Sequence, residues 1–152
     1  MAGFTNTGKT MVMSVAVGET ETVPTYSVML IKASPVPDED TITVGGDSLV
    51  EIEDGNGYIE GGIEITDEWE TAVLDNDAGN SGSVSLADLI WTASGGAIPS
   101  SSTGARYALL TDSNETINSR NVYAYWDLVS AREVSSGQTL TLQDLTLSLT
   151  EA

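Results

Sequence analysis

From Ile59 to Leu74 the chain reads IEGGIEITDEWETAVL, with Ile59, Ile63, Ile65, Trp69, Thr71 and Val73 at odd positions and Glu60, Glu64, Thr66, Glu68 and Glu70 at even ones. A period of two places the apolar side chains on one face of a strand and the carboxylates on the other, whereas a helix would scatter the glutamates around its circumference. Gly61-Gly62 predicts a bulge or bend in that strand, and Asp67 a break. Between Thr139 and Thr150, Leu140 and Leu142 alternate in one register and Leu145, Leu147 and Leu149 in the other. The one-residue change at Gln143-Asp144 asks for a bulge or a tight corner. Tyr26 to Lys32, Thr41 to Val44, Val84 to Trp91, Ala105 to Thr111 and Val122 to Leu128 add β-prone runs.

Turn signals separate these runs at short intervals: Pro35 to Pro37, Gly45-Gly46, Asp54 to Gly57, Asp75 to Gly82, Gly95 to Gly104, Asp112 to Asn118 and Ser135 to Gly137. Many short strands punctuated this way predict a mainly all-β, antiparallel β-sandwich or jelly-roll-like single domain over residues 1–152. The start is ambiguous. Thr5 or Asn6 can cap a short helix, while Met11, Met13, Val15 and Val17 also alternate as a strand; the helix is preferred. Residues 1–17 are accordingly read as an N-terminal docking segment and residues 18–152 as the sandwich.

A chain of 152 residues is one domain by size and buries about 70% of its unfolded surface. It contains no cysteine and no histidine. Disulfides, thiolate metal sites, thiol nucleophiles and the usual general base are thereby excluded together. Catalysis would fall to carboxylates, hydroxyls or lysine, as in a two-carboxylate glycosidase, and an enzyme is not the expectation. No stretch reaches the ~18 apolar residues of a membrane span, and MAGFTNTGKT lacks the charged start and apolar core of a signal peptide. A soluble, non-exported protein is expected.

The charge is unevenly placed. No Lys or Arg stands between Lys32 and Arg106, yet Asp38 to Asp88 holds fifteen carboxylates. The net charge divides as 0 before Asp38, −15 through Asp88 and −3 beyond, out of −18. Such a middle third repels nucleic acid and anionic membrane, since phosphate recognition needs clustered cations. Neither is an expected partner. Regular apolar spacing in the same stretch argues against disorder.

Gly3 to Thr10, GFTNTGKT, matches the phosphate-loop pattern letter for letter. That chemistry requires a buried strand running into the loop. With Met1 and Ala2 alone ahead of Gly3, no such strand is expected, and the match is taken as coincidence. Asp75 to Asn80 faintly resembles a calcium loop, but Gly79 and Asn80 are reversed and the closing Glu is missing. A turn explains it; weak divalent binding by several acidic loops stays open, and no cofactor is expected. Glu60, Glu64, Glu68 and Glu70 at roughly 7 Å spacing could form catalytic pairs. A solvated strand face that discourages edge pairing is the stronger reading. Asn114-Glu115-Thr116 fits a glycosylation sequon and reads as a turn. Tyr125 and Trp126 are adjacent, so on a regular strand one ring faces in and the other becomes a candidate partner contact.

The run ARYALLTDSNETINSRNVYAYWDLVSAREVSSGQTLTLQDLTLSL, preceded by DLIWTASGGAIPSSS and earlier by GNGYIEGGIEI, resembles a group of small tailed-phage virion proteins. The shared pattern is a short N-terminal segment, a glycine-flanked tyrosine (Tyr58), a tryptophan (Trp91) before a Pro99-containing loop, and a closing strand after Gly137-Gln138-Thr139-Leu140. The match is good from Asp88 to Leu149, partial over Gly55 to Ile65 and poor over Val36 to Asp54. The resemblance implies a structural β-sandwich that decorates or cements a capsid, or sits on the tail, and it transfers no catalytic residue. Strong net charge keeps free copies apart, which favours the head surface. The expected partners are the major capsid protein and further copies of the chain, with a trimer favoured. The expected location is the virion surface, after assembly from host cytoplasm. Phe4, Lys9 and Met11 of the neutral N-terminal segment are the candidate partner contacts. Removing Met1 to Lys9 is expected to abolish capsid binding without unfolding the domain. The alternative is a tail-associated or host-surface-binding module.

Overall fold

The computed structural model describes residues 2–19, 23–70, 73–75, 81–101, 103–113 and 116–150. Strand β1 (Ala2–Phe4) leads into helix α1 (Asn6–Ala16), followed by β2 (Tyr26–Ile31) and, after a long irregular stretch, β3 (Ile63–Ile65). Then come β4 (Val73–Asp75), β5 (Ser81–Leu86), β6 (Leu89–Thr92), β7 (Ala105–Asp112), β8 (Val122–Arg132), β9 (Thr139–Leu142) and β10 (Leu145–Thr150). A five-stranded sheet runs β1-β8-β7-β2-β3, a three-stranded sheet β10-β5-β4 and a two-stranded sheet β6-β9. All strand pairs are antiparallel. The chain is mainly β, with a short N-terminal helix, as its pattern predicts.

The five-stranded sheet is buried on both faces. Val28, Leu30, Ala108, Leu110, Ala124 and Trp126 point from it into a core completed by Leu86, Leu89, Trp91, Leu140, Leu142, Leu145 and Leu147 of the small sheets. The opposite face presents Met29, Ile31, Tyr107, Leu109 and Tyr125, covered by Val44 and Leu49 from irregular chain and by Ile117 from a short 3-10 turn (Ile117–Ser119). Near-continuous burial explains why Val28–Ile31 of β2 and Tyr107–Leu110 of β7 are apolar without alternation. It also corrects one expectation. Tyr125 and Trp126 do face opposite ways, but both are buried, because each face of β8 has its own core.

Three further expectations change. The run from Ile59 is not one strand. Gly61 and Gly62 take φ of +89° and +75°, so the chain turns there, and Ile59 is 71% exposed. Pairing resumes only over Ile63–Ile65, against Tyr26–Val28. Glu60, Glu64 and Glu70 are exposed, but Glu68 folds back to accept the Thr66 and Asp67 N–H groups, so no glutamate row forms. Thr41 to Val44 forms no strand; a single bridge joins Thr43 to Asn121, and Asp47 accepts the Ile42 and Thr43 N–H groups in a turn. Val84 to Trp91 divides at Ala87-Asp88 into β5 and β6, which belong to different sheets.

The register change at Gln143-Asp144 is a tight corner. Asp144 sits at φ +56°, and the chain passes from β9, paired with β6, to β10, paired with β5. Of the calcium-like run, Asp75 ends β4 while residues 76–80 lie outside the described residues, as do residues 114 and 115 of the sequon.

Candidate partner interface

The N-terminal strand and helix are built into the sheet. Ala2, Gly3 and Phe4 pair with Trp126, Tyr125 and Ala124 of β8. This strand takes in Gly3 and Phe4 of the phosphate-loop match itself and has no fully buried residue, so it is not the buried strand that such a loop requires. The loop itself is absent, because α1 begins at Asn6 and carries Gly8, Lys9 and Thr10 in its first turns. Thr5 is the N-cap: its Oγ1 accepts the Gly8 N–H at 3.1 Å and donates to the Val122 carbonyl at 2.5 Å. One hydroxyl thus starts the helix and ties it to β8. Asn6 adds a bond to Asp40 Oδ1 at 2.9 Å.

Gly8 is where the helix touches the sheet. A Cβ at this position would lie 2.0 Å from the Tyr123 carbonyl oxygen. The glycine that resembled a phosphate-binding residue is a point of close backbone approach. Around it, Phe4 and Met11 are half-buried and pack on the large core. They share an apolar recess of about 240 Å³ with Val12, Tyr26, Trp69, Val84, Leu110, Tyr123 and Leu147. Tyr26 stands edge-on to both Trp69 (6.0 Å, 82°) and Tyr123 (5.5 Å, 86°). Burial raises the Tyr26 phenol, and burial followed by the Asp112 carboxylate pushes Tyr123 up to about 12. The recess is thus lined by neutral rings at ordinary pH.

Of the three candidate contacts, Phe4 and Met11 are turned toward this recess and Lys9 is exposed. The outer surface of α1 carries apolar residues that had not been singled out: Met13 is 67% exposed and Val17, just past the helix, 69%, with Val12 on the flank 39% exposed. Their signal was present in the helical phase of the segment. With Gly8 and Met11 inward at 100° per residue, Met13 and Val17 fall on the opposite side.

A second polar cluster, also unforeseen, lies inside the fold. Glu51 Oε1 accepts from the Tyr58 hydroxyl and from Gly61 N–H, both at 2.6 Å, while Tyr58 in turn accepts the Leu30 N–H at 3.0 Å. Arg120, nearly buried, donates to the Gly61 carbonyl at 3.1 Å. Burial raises the Glu51 carboxyl above its usual range, only partly offset by the Tyr58 and Gly61 hydrogen bonds. Its other oxygen is buried without a partner. The cluster staples the 51–61 turn to the edge of β2. The glycine-flanked Tyr58 was visible in the sequence, but not its distant partners.

Among the described residues no group of three Asp or Glu side chains converges to hold a metal ion, and no helix is long and apolar enough to cross a membrane. No family model matches the chain, and no curated protein or solved structure matches it.

Proposed function

We propose that this protein is a structural component of a tailed-phage virion, a decoration or cement protein held in many copies on the outside of the head. The observation that carries this reading is the contrast between a body of strong negative charge and an acid-free end. Every one of the 23 carboxylates lies outside residues 1–18, and that segment forms β1 and the outward apolar surface of α1. Such a body stays dispersed at high copy number because like charges keep free molecules apart. Contacts with the shell or with neighbouring copies then fall to the segment that carries no carboxylate of its own. The resemblance of Asp88 to Leu149 to small virion proteins supports the same reading. The major capsid protein is the proposed lattice partner, and the buried polar cluster is a structural staple rather than reaction machinery.

Quantitative gel densitometry of purified virions against the major capsid protein tests this. Near-stoichiometric amounts support decoration of the shell. A few copies per particle would move the protein to the tail, and absence from the particle would end the virion reading.

A further inference from the structure

We infer that α1 is a self-association element, and that two copies of the chain pair antiparallel through it about a two-fold axis at Met13. At 100° and 1.5 Å per residue, Lys9, Met13 and Val17 form one ridge about 12 Å long, with Val12 and Ala16 in the adjacent row. Met13 and Val17 are 67% and 69% exposed and Ala16 is exposed, so the ridge has no partner within the described chain. Gly8 pins the opposite side of the helix to β8, which holds the ridge rigidly outward.

Charge selects the occupant. A basic partner would be drawn to the acidic body rather than to a neutral ridge. A second copy carries the same −18, and α1 is a helix with no carboxylate of its own, Asp40 and Glu39 standing at its first turns around Asn6 and Lys9 and away from Met13. The ends of the ridge also complement each other. Lys9 is exposed and has no ion pair among the described residues, whereas Lys32 is paired with Glu53 and Arg106 with Asp127. Glu19 is exposed at the other end, its N–H turned back onto the Ser14 carbonyl at 2.9 Å. In an antiparallel pair centred on Met13, Lys9 of each copy lies opposite Val17 of the other and beside its Glu19. The interface is isologous, a two-fold contact in place of the expected trimer.

The experiment is sedimentation equilibrium of the full chain at about 20 mM and about 500 mM salt, where screening of the two bodies differs most usefully. The expected result is a monomer–dimer equilibrium that tightens as salt rises. Met13→Glu should raise the dissociation constant by about 30-fold or more, with an unchanged far-ultraviolet circular dichroism spectrum because the side chain is exposed. Lys9→Glu and Glu19→Lys should each weaken the dimer, and combining them should restore it. A monomer under all conditions, a trimer, a dimer that weakens with salt, indifference to Met13→Glu, or failure of the double exchange to rescue would each overturn the pairing. The pair is a property of the free protein, so it can fail while the virion copy number stands, and the reverse.

Discussion

Replacing Gly8 by alanine gives a prediction in which two physical effects oppose each other. In an exposed helix interior the change stabilises by about 1 kcal/mol, because alanine restricts the unfolded chain and glycine does not. Here the new Cβ would sit 2.0 Å from the carbonyl oxygen of Tyr123, 2.8 Å from its carbon and 3.1 Å from the Phe4 ring. The nearest obstacle is strand backbone, which has no rotamer to change, so α1 must lift by on the order of 1 Å to reach ordinary van der Waals separation. Lifting strains the Thr5 hydroxyl bond to Val122 (2.5 Å) and the Thr5 N–H bond to Tyr123 (3.0 Å), and it loosens Phe4 and Met11 in the recess. Overpacking and weakened hydrogen bonds together cost about 3 kcal/mol, and subtracting the propensity gain leaves about 2 kcal/mol of net destabilisation. For a chain of this size that is a fall in Tm of roughly 4–8 °C. Differential scanning calorimetry reads it directly. Thr10→Ala, at an exposed position on the same helix where only a solvent-facing hydroxyl bond to the Asn6 carbonyl is lost, serves as the control away from the contact and should leave Tm nearly unchanged. A Gly8→Ala protein melting at or above the parent would refute the close approach of α1 to β8.

Tyr58→Phe removes an oxygen that accepts from Leu30 and donates to Glu51, leaving both groups buried and short of a partner. The urea midpoint should fall by the equivalent of about 2–3 kcal/mol with an unchanged slope, and a loss below about 0.5 kcal/mol would mean that water replaces the hydroxyl. Val129 holds φ +67° while 77% exposed, a costly conformation for a β-branched residue; Val129→Gly should stabilise by about 1 kcal/mol, measured by the same titration. Lys32, with help from Ser101, lowers the Glu53 carboxyl from 4.5 to about 2. A depressed folded value gives stability that is present above pH 4.5 and lost as pH falls toward 2. Lys32→Met should therefore flatten the acid limb of the stability curve, and an unaltered limb would contradict the pairing. Glu51 has the opposite sign, because burial raises it, so its contribution is present at low pH and lost as pH rises past the usual carboxylate range. Urea midpoints of Glu51→Gln from acid to neutral pH should lack that downward slope.

Local periodicity determined the class of this fold. Alternation in Leu140–Leu142 and Leu145–Leu149 required a bulge or a tight corner between the two registers, and a corner stands at Asp144. Thr5 or Asn6 as a cap favoured a short helix over the strand that Met11 to Val17 also allowed, and the helix forms with Thr5 as its cap. These features depend on neighbours within a few residues, which is why they are legible in one dimension. The same reasoning failed where a distant partner decides. The run from Ile59 is paired only from Ile63, because Gly61 and Gly62 turn the chain and Gly62 passes so close to Val28 that a Cβ would lie 1.9 Å from its carbonyl oxygen. Tyr125 is buried because Val44 and Leu49, from a stretch that forms no strand, cover that face of β8. Phe4 and Met11, expected as partner contacts, line a recess beside α1 whose position is set by the bond from Thr5 to a carbonyl 117 positions away. A strand's period says which side chains share a face. Whether that face meets water, a second layer or another molecule depends on what the rest of the chain brings to it, and only the tertiary structure decides that.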